Sequence, residues 1–162
     1  MIDNHRVRHY VRAMISRRKS LIGSLVLAVL LSLAVVSSGA GAEALADANR
    51  GNPGQPLDIK SLLVQGKTTL IDFYSPFCPP CVQLAPIMEK LAGKRPDLAI
   101  KKVNINRPQV KGIDWQSPLA KQYQLRQVPY FMIFNPQGEL VAQGRDAVEQ
   151  VGRMLQEAGL MQ

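Results

Sequence analysis

Leu70-Ile71-Asp72-Phe73-Tyr74-Ser75-Pro76-Phe77-Cys78-Pro79-Pro80-Cys81 is the stretch whose reading decides the fold. It follows Thr68 and Thr69, so residues 68–74 are β-branched and aromatic with a nearly continuous apolar core, the pattern of a buried strand. After the cysteines, Leu84, Ile87, Met88 and Leu91 fall at i, i+3, i+4 and i+7, which predicts a helix with one apolar face. Cys78 and Cys81 are the only two cysteines in the chain. This spacing puts both sulfurs at the start of that helix, close enough to bond to each other.

Three chemistries are open to such a pair: zinc binding, a structural staple, and thiol–disulfide exchange. Both histidines, His5 and His9, lie near the N-terminus, so the rest of the chain has none. Two cysteines without histidine cannot complete a four-coordinate zinc site in one folded chain, and no metal or other cofactor is expected. A staple closing so small a loop removes little chain entropy compared with a long-range bridge. Exchange needs an attacking thiolate and a resolving thiol. Cys78, at the helix N-terminus, is where backbone N–H groups and the helix dipole favour negative charge, which makes Cys78 the attacker and Cys81 the resolver. Pro79 and Pro80 suit a first helical turn but remove two N–H groups that could have solvated the thiolate. Asp72, a carboxylate inside an apolar strand, is expected to be desolvated, with a raised pKa, and able to relay protons to Cys81.

The remaining chain fits an alternating α/β pattern. Asp58 can cap a short helix over residues 59–64, with Gly66 ending it. Residues 98–104 form the next strand, and strand–helix–strand at this length implies a parallel crossover. Residues 106–118 show the weakest pattern; Trp115 reads as a loop aromatic covering the core. Ser117 or Pro118 opens a short helix carrying Leu119, Tyr123 and Leu125. Residues 130–134 are an apolar strand, Asn135-Pro136-Gln137-Gly138 is a turn, and residues 140–143 return antiparallel. Asp146, with Glu149 three residues on, makes a box-like start to a final helix with Val148, Val151, Leu155 and Ala158 as its apolar face.

The formal charge of +8 is unevenly spread. Residues 1–42 hold six basic side chains and one acid, leaving 14 basic against 11 acidic in the other 120 residues. A basic head on a near-neutral body points to membrane targeting and away from nucleic acid. Residues 21–36 are nearly all apolar and would span about 24 Å as a helix; extending to residue 42 gives about 33 Å, against a bilayer core of about 30 Å. Ala40-Gly41-Ala42 also offers a small-x-small cleavage pattern before Glu43. Residues 1–42 are therefore a signal peptide or a membrane anchor, residues 43–56 a flexible linker rich in Gly, Ala, Asn and Pro, and residues 57–162 the folded domain. In either case the body is expected outside the cytoplasm, in a periplasmic or equivalent compartment.

Asp72, the Cys78–Cys81 pair, Pro86 within the following helix, and Val128-Pro129 before an apolar strand together resemble the thioredoxin family. The resemblance covers residues 57–159. It implies a thioredoxin-like fold, a central mixed sheet with helices on both faces, preceded here by the N-terminal signal or anchor helix. It also implies a cis Val128–Pro129 peptide lying against the cysteines and offering backbone groups to substrate. Lys102 resembles the buried lysine that neighbours the family's aspartate, which joins it to Cys78, Cys81 and Asp72 as a catalytic candidate. Tyr74, Phe77, Pro79, Pro80, Val128 and Pro129 become the candidate substrate-binding residues. Tyr74 and Phe77 stand where the family has tryptophan, and Pro79-Pro80 where it has Gly-Pro. Membrane-tethered bacterial members that this chain is similar to reduce disulfides outside the cytoplasm, including those of apocytochromes c. The implied partners are protein disulfides or dithiols and a transmembrane electron donor. An oxidant that introduces disulfides and a redox-inactive adaptor are the competing readings.

Overall fold

The computed structural model describes residues 45–161. The expected signal or anchor, residues 1–42, lies outside the described residues. Among the described residues no helix is long and apolar enough to cross a membrane.

The elements follow in the order β1 (Thr68–Tyr74), α1 (Pro79–Lys94), β2 (Leu98–Asn104), α2 (Pro118–Gln122), β3 (Tyr130–Phe134), β4 (Leu140–Gln143) and α3 (Gly144–Glu157), with a 3-10 turn at Ile59–Leu62 ahead of β1. The sheet order is β2-β1-β3-β4. β1 and β2 are parallel, and the β1–β3 and β3–β4 pairs are antiparallel. This is the expected mixed sheet of a thioredoxin-like α/β fold, flanked by helices. The two central strands are buried on both faces, which is why β1 reads as a nearly continuous apolar run.

Strand alternation sends β1 into two separate cores. Leu70 packs with Met88 and Leu91 of α1 and with Ala147, Val151 and Leu155 of α3. Ile71 and Phe73 pack on the other face with Ile59, Leu119 and Leu125. Asp72 and Tyr74 share the parity of Leu70 and so point to the α1 side. On β2, Leu98 and Ile100 belong to that same core, and Lys102 continues their face.

Local chemistry explains the boundaries. Asp58 caps the 3-10 turn by accepting from the Lys60 N–H, as its position predicts. The Ser117 side chain caps α2 by accepting from the Ala120 N–H, with Pro118 at the first helical position. The turn at 135–138 closes with the Gly138 N–H donating to the Asn135 carbonyl, and Gly138 takes a φ of 83°.

Three expectations need correction. The stretch read as a linker is folded in from residue 45 onward: residue 47 makes a parallel bridge with Lys102, and Asn49 is buried. The Asn49 amide both donates to the Asn104 carbonyl and accepts from the Asn104 N–H, closing the free edge of β2. Composition suggested flexibility here, but asparagine and glycine serve as edge caps and tight turns as readily as linkers. Gly54 shows this, because at a φ of 74° an added Cβ would lie 2.7 Å from the Arg107 backbone nitrogen.

The second correction concerns α3. It begins at Gly144 with Gln143 at the N-cap and no side-chain cap, so Asp146 lies inside the first turn and the box does not form. The chain turns straight from β4 into the helix through a left-handed Gly144, leaving no loop in which Asp146 could cap. Its carboxylate still complements the positive helix end. The third follows from the second: Ala147 replaces Val148 on the buried face, and Val148 is exposed.

Candidate active site at the α1 N-terminus

β1 delivers the chain to the site, and α1 starts at Pro79, directly after Cys78. Ser75 is fully buried at the turn between them. Its hydroxyl accepts from the Phe77 N–H at 3.1 Å, and its carbonyl accepts from the Cys78 N–H at 3.1 Å. Ser75 thus fixes the approach to the first cysteine. The sequence reading passed over it; a small polar residue between a strand end and a proline is the signal that could have found it.

Cys78 is the N-cap of α1, with extended backbone, and Pro79 and Pro80 occupy the first turn. Cys78 and Cys81 are joined as a disulfide with Cα atoms 5.3 Å apart. Because both prolines lack an N–H, the Cys81 N–H is the next donor available, and it donates to Cys78 Sγ at 3.3 Å. A sulfur therefore does here what a serine or aspartate oxygen does at an ordinary N-cap. The same N–H would stabilise a Cys78 thiolate after reduction, together with the helix dipole.

The Val128–Pro129 peptide is cis, and the Val128 carbonyl lies 3.5 Å from Cys78 Sγ. The loop before β3 is thereby brought against a cysteine 50 residues earlier in sequence. The sulfurs are largely covered, with Cys78 2% and Cys81 5% exposed. Around them Phe77, Pro79, Pro80 and Val82 stand open to solvent. An exposed apolar rim around a covered sulfur admits only a partner that fits the rim, and Val82 is a member the sequence reading did not include.

Asp72, on the α1 side of the sheet, is 4% exposed, and its Oδ1 has no hydrogen-bond partner among the described residues. Burial is the main reason its pKa is pushed up to about 7; Lys102 pulls it down and Asp47 pushes it further up. Lys102 is the register partner of Asp72 across β1 and β2. Its ammonium, however, is 3.8 Å from Asp47 Oδ1 and 4.3 Å from the centre of the Tyr74 ring. The Tyr74 hydroxyl donates to Asp47 Oδ2 at 2.6 Å. Tyr74, expected beside Phe77 at the binding surface, is instead bonded into this half-buried network. Its own pKa is raised, first by burial and then by the bond to Asp47. Asp47 was hidden from the sequence reading by its place in the supposed linker.

Chemically, the arrangement combines a reversible dithiol–disulfide pair at a helix N-terminus, a backbone carbonyl beside the first sulfur, and a buried carboxyl on the same side of the sheet as α1 that gains and loses its proton near neutral pH. Comparison with known proteins agrees with that chemistry. The thioredoxin family model matches residues 58–156, which hold both cysteines, Asp72, Lys102 and Pro129. The chain belongs to the thioredoxin family. Thioredoxin relatives include a thioredoxin-like protein of Fusarium culmorum, 35% identical over 94 residues, a match covering 56% of this chain and 70% of the relative. A thioredoxin of Chlamydia pneumoniae is 34% identical over 71 residues, covering 44% of this chain and 62% of its own length. The thiol-disulfide oxidoreductase ResA of Halalkalibacterium halodurans is 29% identical over 104 residues, covering 54% of this chain and 58% of its own length. Among solved structures, oxidized mitochondrial thioredoxin 3 of Saccharomyces cerevisiae is similar with a TM-score of 0.42 and 26% identity, covering 58% of this chain and 83% of that one. As a thioredoxin-family member the chain is a thiol–disulfide oxidoreductase.

Proposed function

We propose that this chain is an extracytoplasmic protein-disulfide reductase in which Cys78 attacks and Cys81 resolves. The observation that carries the reading is the Cys78 sulfur at the α1 cap, held by the Cys81 N–H and facing the Val128 carbonyl. An extended substrate segment lying along the 128–129 loop, with its backbone against that carbonyl, would present a disulfide to Cys78. Phe77, Pro79, Pro80 and Val82 would contact its side chains.

In the first step the Cys78 thiolate attacks one sulfur of the substrate disulfide. The substrate S–S bond breaks, its second sulfur leaves as a thiolate and takes a proton from solvent, and a mixed disulfide forms. In the second step Asp72 takes the Cys81 proton, and Cys81 attacks the Cys78 sulfur. The mixed disulfide breaks, and the remaining substrate sulfur leaves as a thiolate. Two electrons have passed to the substrate, which is now a dithiol, and the enzyme holds the Cys78–Cys81 disulfide. A partner dithiol must return those electrons; for an exported domain that partner is a transmembrane electron donor.

The export part of the reading is supported by the basic head and apolar stretch of residues 1–42. Disulfides of apocytochromes c are the substrate class suggested by the resemblance to membrane-tethered bacterial members, and the similarity to a thiol-disulfide oxidoreductase supports the exchange chemistry. The test is Cys78→Ser in cells, combined with thiol trapping and fractionation of the wild type. We expect the variant to lose at least ~10³-fold of protein-disulfide reduction, a loss of the size seen when a covalent nucleophile is removed. Wild-type Cys78 and Cys81 should be trapped mostly reduced, in an extracytoplasmic or membrane fraction. Full function with Cys78→Ser would leave only an adaptor role, and a mostly oxidised pool would make the protein an oxidant.

A further inference from the structure

A row of paired residues runs inward from the sheet edge. Residue 47 bridges Lys102 in parallel, and Lys102 is the register partner of Asp72. Directly paired residues in a sheet project to the same face, so Lys102 stands between two carboxylates. It engages one of them. Its ammonium pairs with Asp47 at 3.8 Å, whereas Asp72 forms no ion pair among the described residues and keeps an unpartnered oxygen.

Asp47 is held for this task from three sides. The Ala48 N–H donates to the Lys102 carbonyl at 2.8 Å, fixing the segment to β2. The Asn49 amide clamps the next paired position, Asn104. The Tyr74 hydroxyl donates to Asp47 Oδ2, while the Tyr74 ring lies beneath the same ammonium that Asp47 binds. Carboxylate, ammonium and phenol ring therefore form one closed unit beside Asp72.

We propose that Asp47 is a positioning residue for the cysteine pair: by holding Lys102, it leaves Asp72 free of an ion pair and able to take and release the Cys81 proton. The inference rests on the relay role given to Asp72 above. Without Asp47, the flexible lysine stem is free to swing to the neighbouring carboxylate, and a desolvated Asp72–Lys102 pair would lock Asp72 in its ionised form. The charged and titratable groups around Asp72 are few. The N-terminal segment supplies Asp47, β2 supplies Lys102, and β1 supplies Tyr74. The residue paired with Asp72 on β3 is Phe131, which is uncharged. α1 supplies the cysteines, with Glu89, Lys90 and Lys94 on exposed positions further along.

The experiment is an NMR titration of the Asp72 side-chain carboxyl in the oxidised full chain, where neither cysteine titrates. Wild type should inflect near pH 7. Asp47→Asn should inflect lower by about one pH unit or more, the size expected when a cation gains a buried carboxylate partner. Lys102→Met should inflect higher than wild type, and adding Asp47→Asn to Lys102→Met should shift the inflection by less than it does alone. Asp47→Glu, which keeps the charge, should stay near wild type and guards against mere loss of folding. An Asp47→Asn inflection that is unmoved or raised, in a protein that Asp47→Glu shows to be folded, overturns the inference. The titration needs no turnover, so that failure would leave the Cys78 exchange reading standing. A lowered Asp47→Asn inflection with an unmoved pH profile of disulfide reduction would instead remove Asp72 from the relay.

Discussion

Asp72 and Asp114 are almost equally hidden from solvent, 4% and 3% exposed, yet they hold protons in opposite ways. Asp114 accepts from Arg107 Nε at 2.7 Å, from Arg107 Nη2 at 3.0 Å and from the Arg107 backbone N–H at 3.3 Å. Those bonds, the guanidinium bond first, hold its pKa below the ordinary carboxylate value. Asp72 has a cation in the adjacent register position but no bond to it, and burial raises its pKa to about 7. Low solvent exposure alone therefore does not decide what an aspartate does in this protein; deep desolvation raises one, and a committed guanidinium partner lowers the other. Asp114 is a fixed charge that ties down the 107–114 loop. Asp72 is a buried carboxyl on the α1 side of the sheet, with no ion-pair partner among the described residues.

The contrast is sharpest in activity. Asp72→Asn should slow protein-disulfide reduction by about 10²-fold, the usual contribution of a positioned proton-transfer group. Asp114→Asn should leave the rate per folded molecule within about twofold. Steady-state assays at neutral pH on both variants check this, and equal losses would erase the distinction.

Stability should move in opposite directions. Because the folded pKa of Asp72 is raised, the native state binds its proton more tightly than the unfolded chain does. The associated stability is present in full below the unfolded pKa near 4 and is lost as pH rises through about 7. Asp72→Asn should therefore stabilise the protein on the alkaline side, by on the order of 4 kcal/mol at most at pH 8, and have little effect at pH 4. Denaturant unfolding at the two pH values checks the sign, and a variant less stable at pH 8 than wild type would contradict a desolvated, unpaired carboxylate.

Asp114→Asn should show the reverse dependence with a smaller amplitude. A carboxylate with a lowered folded pKa contributes stability above its unfolded pKa and loses it as pH falls through the folded one. The variant should melt a few degrees lower at pH 7 and approach wild type in strong acid, measured by thermal unfolding. A pH-independent difference would mean that packing of the loop, and not the ion pair, is what Asp114 supplies.

How far the sequence reaches depends on the range of the interaction. Cys78 and Cys81 are readable because strand, turn and helix signals all lie within about 25 residues of them. The 135–138 turn, the α2 cap and the apolar face of α1 are equally local. Asp72 stands out because a charge within an apolar strand conflicts with its surroundings. Ser75 and Asp47 do not stand out: one is a small residue in a turn, and the other sits in an Ala- and Asn-rich stretch with no periodicity. At Gly144 β4 runs straight into α3, which displaced the expected cap by a few residues.

The sequence alone settled the chemistry, since two cysteines at a strand-to-helix junction, with no histidine elsewhere in the body, leave few alternatives. It also settled the order of the elements, because periodicity and turn residues are local properties. Only the tertiary structure decided which groups stand around the cysteine pair. Val128 reaches Cys78 across 50 residues of chain, and Asp47 reaches Lys102 across 55. Strand pairing sets the second, and the placement of the loop before β3 sets the first; both follow from how the strands pack together. No local pattern around Asp47 records that it lies beside Lys102, the register partner of Asp72.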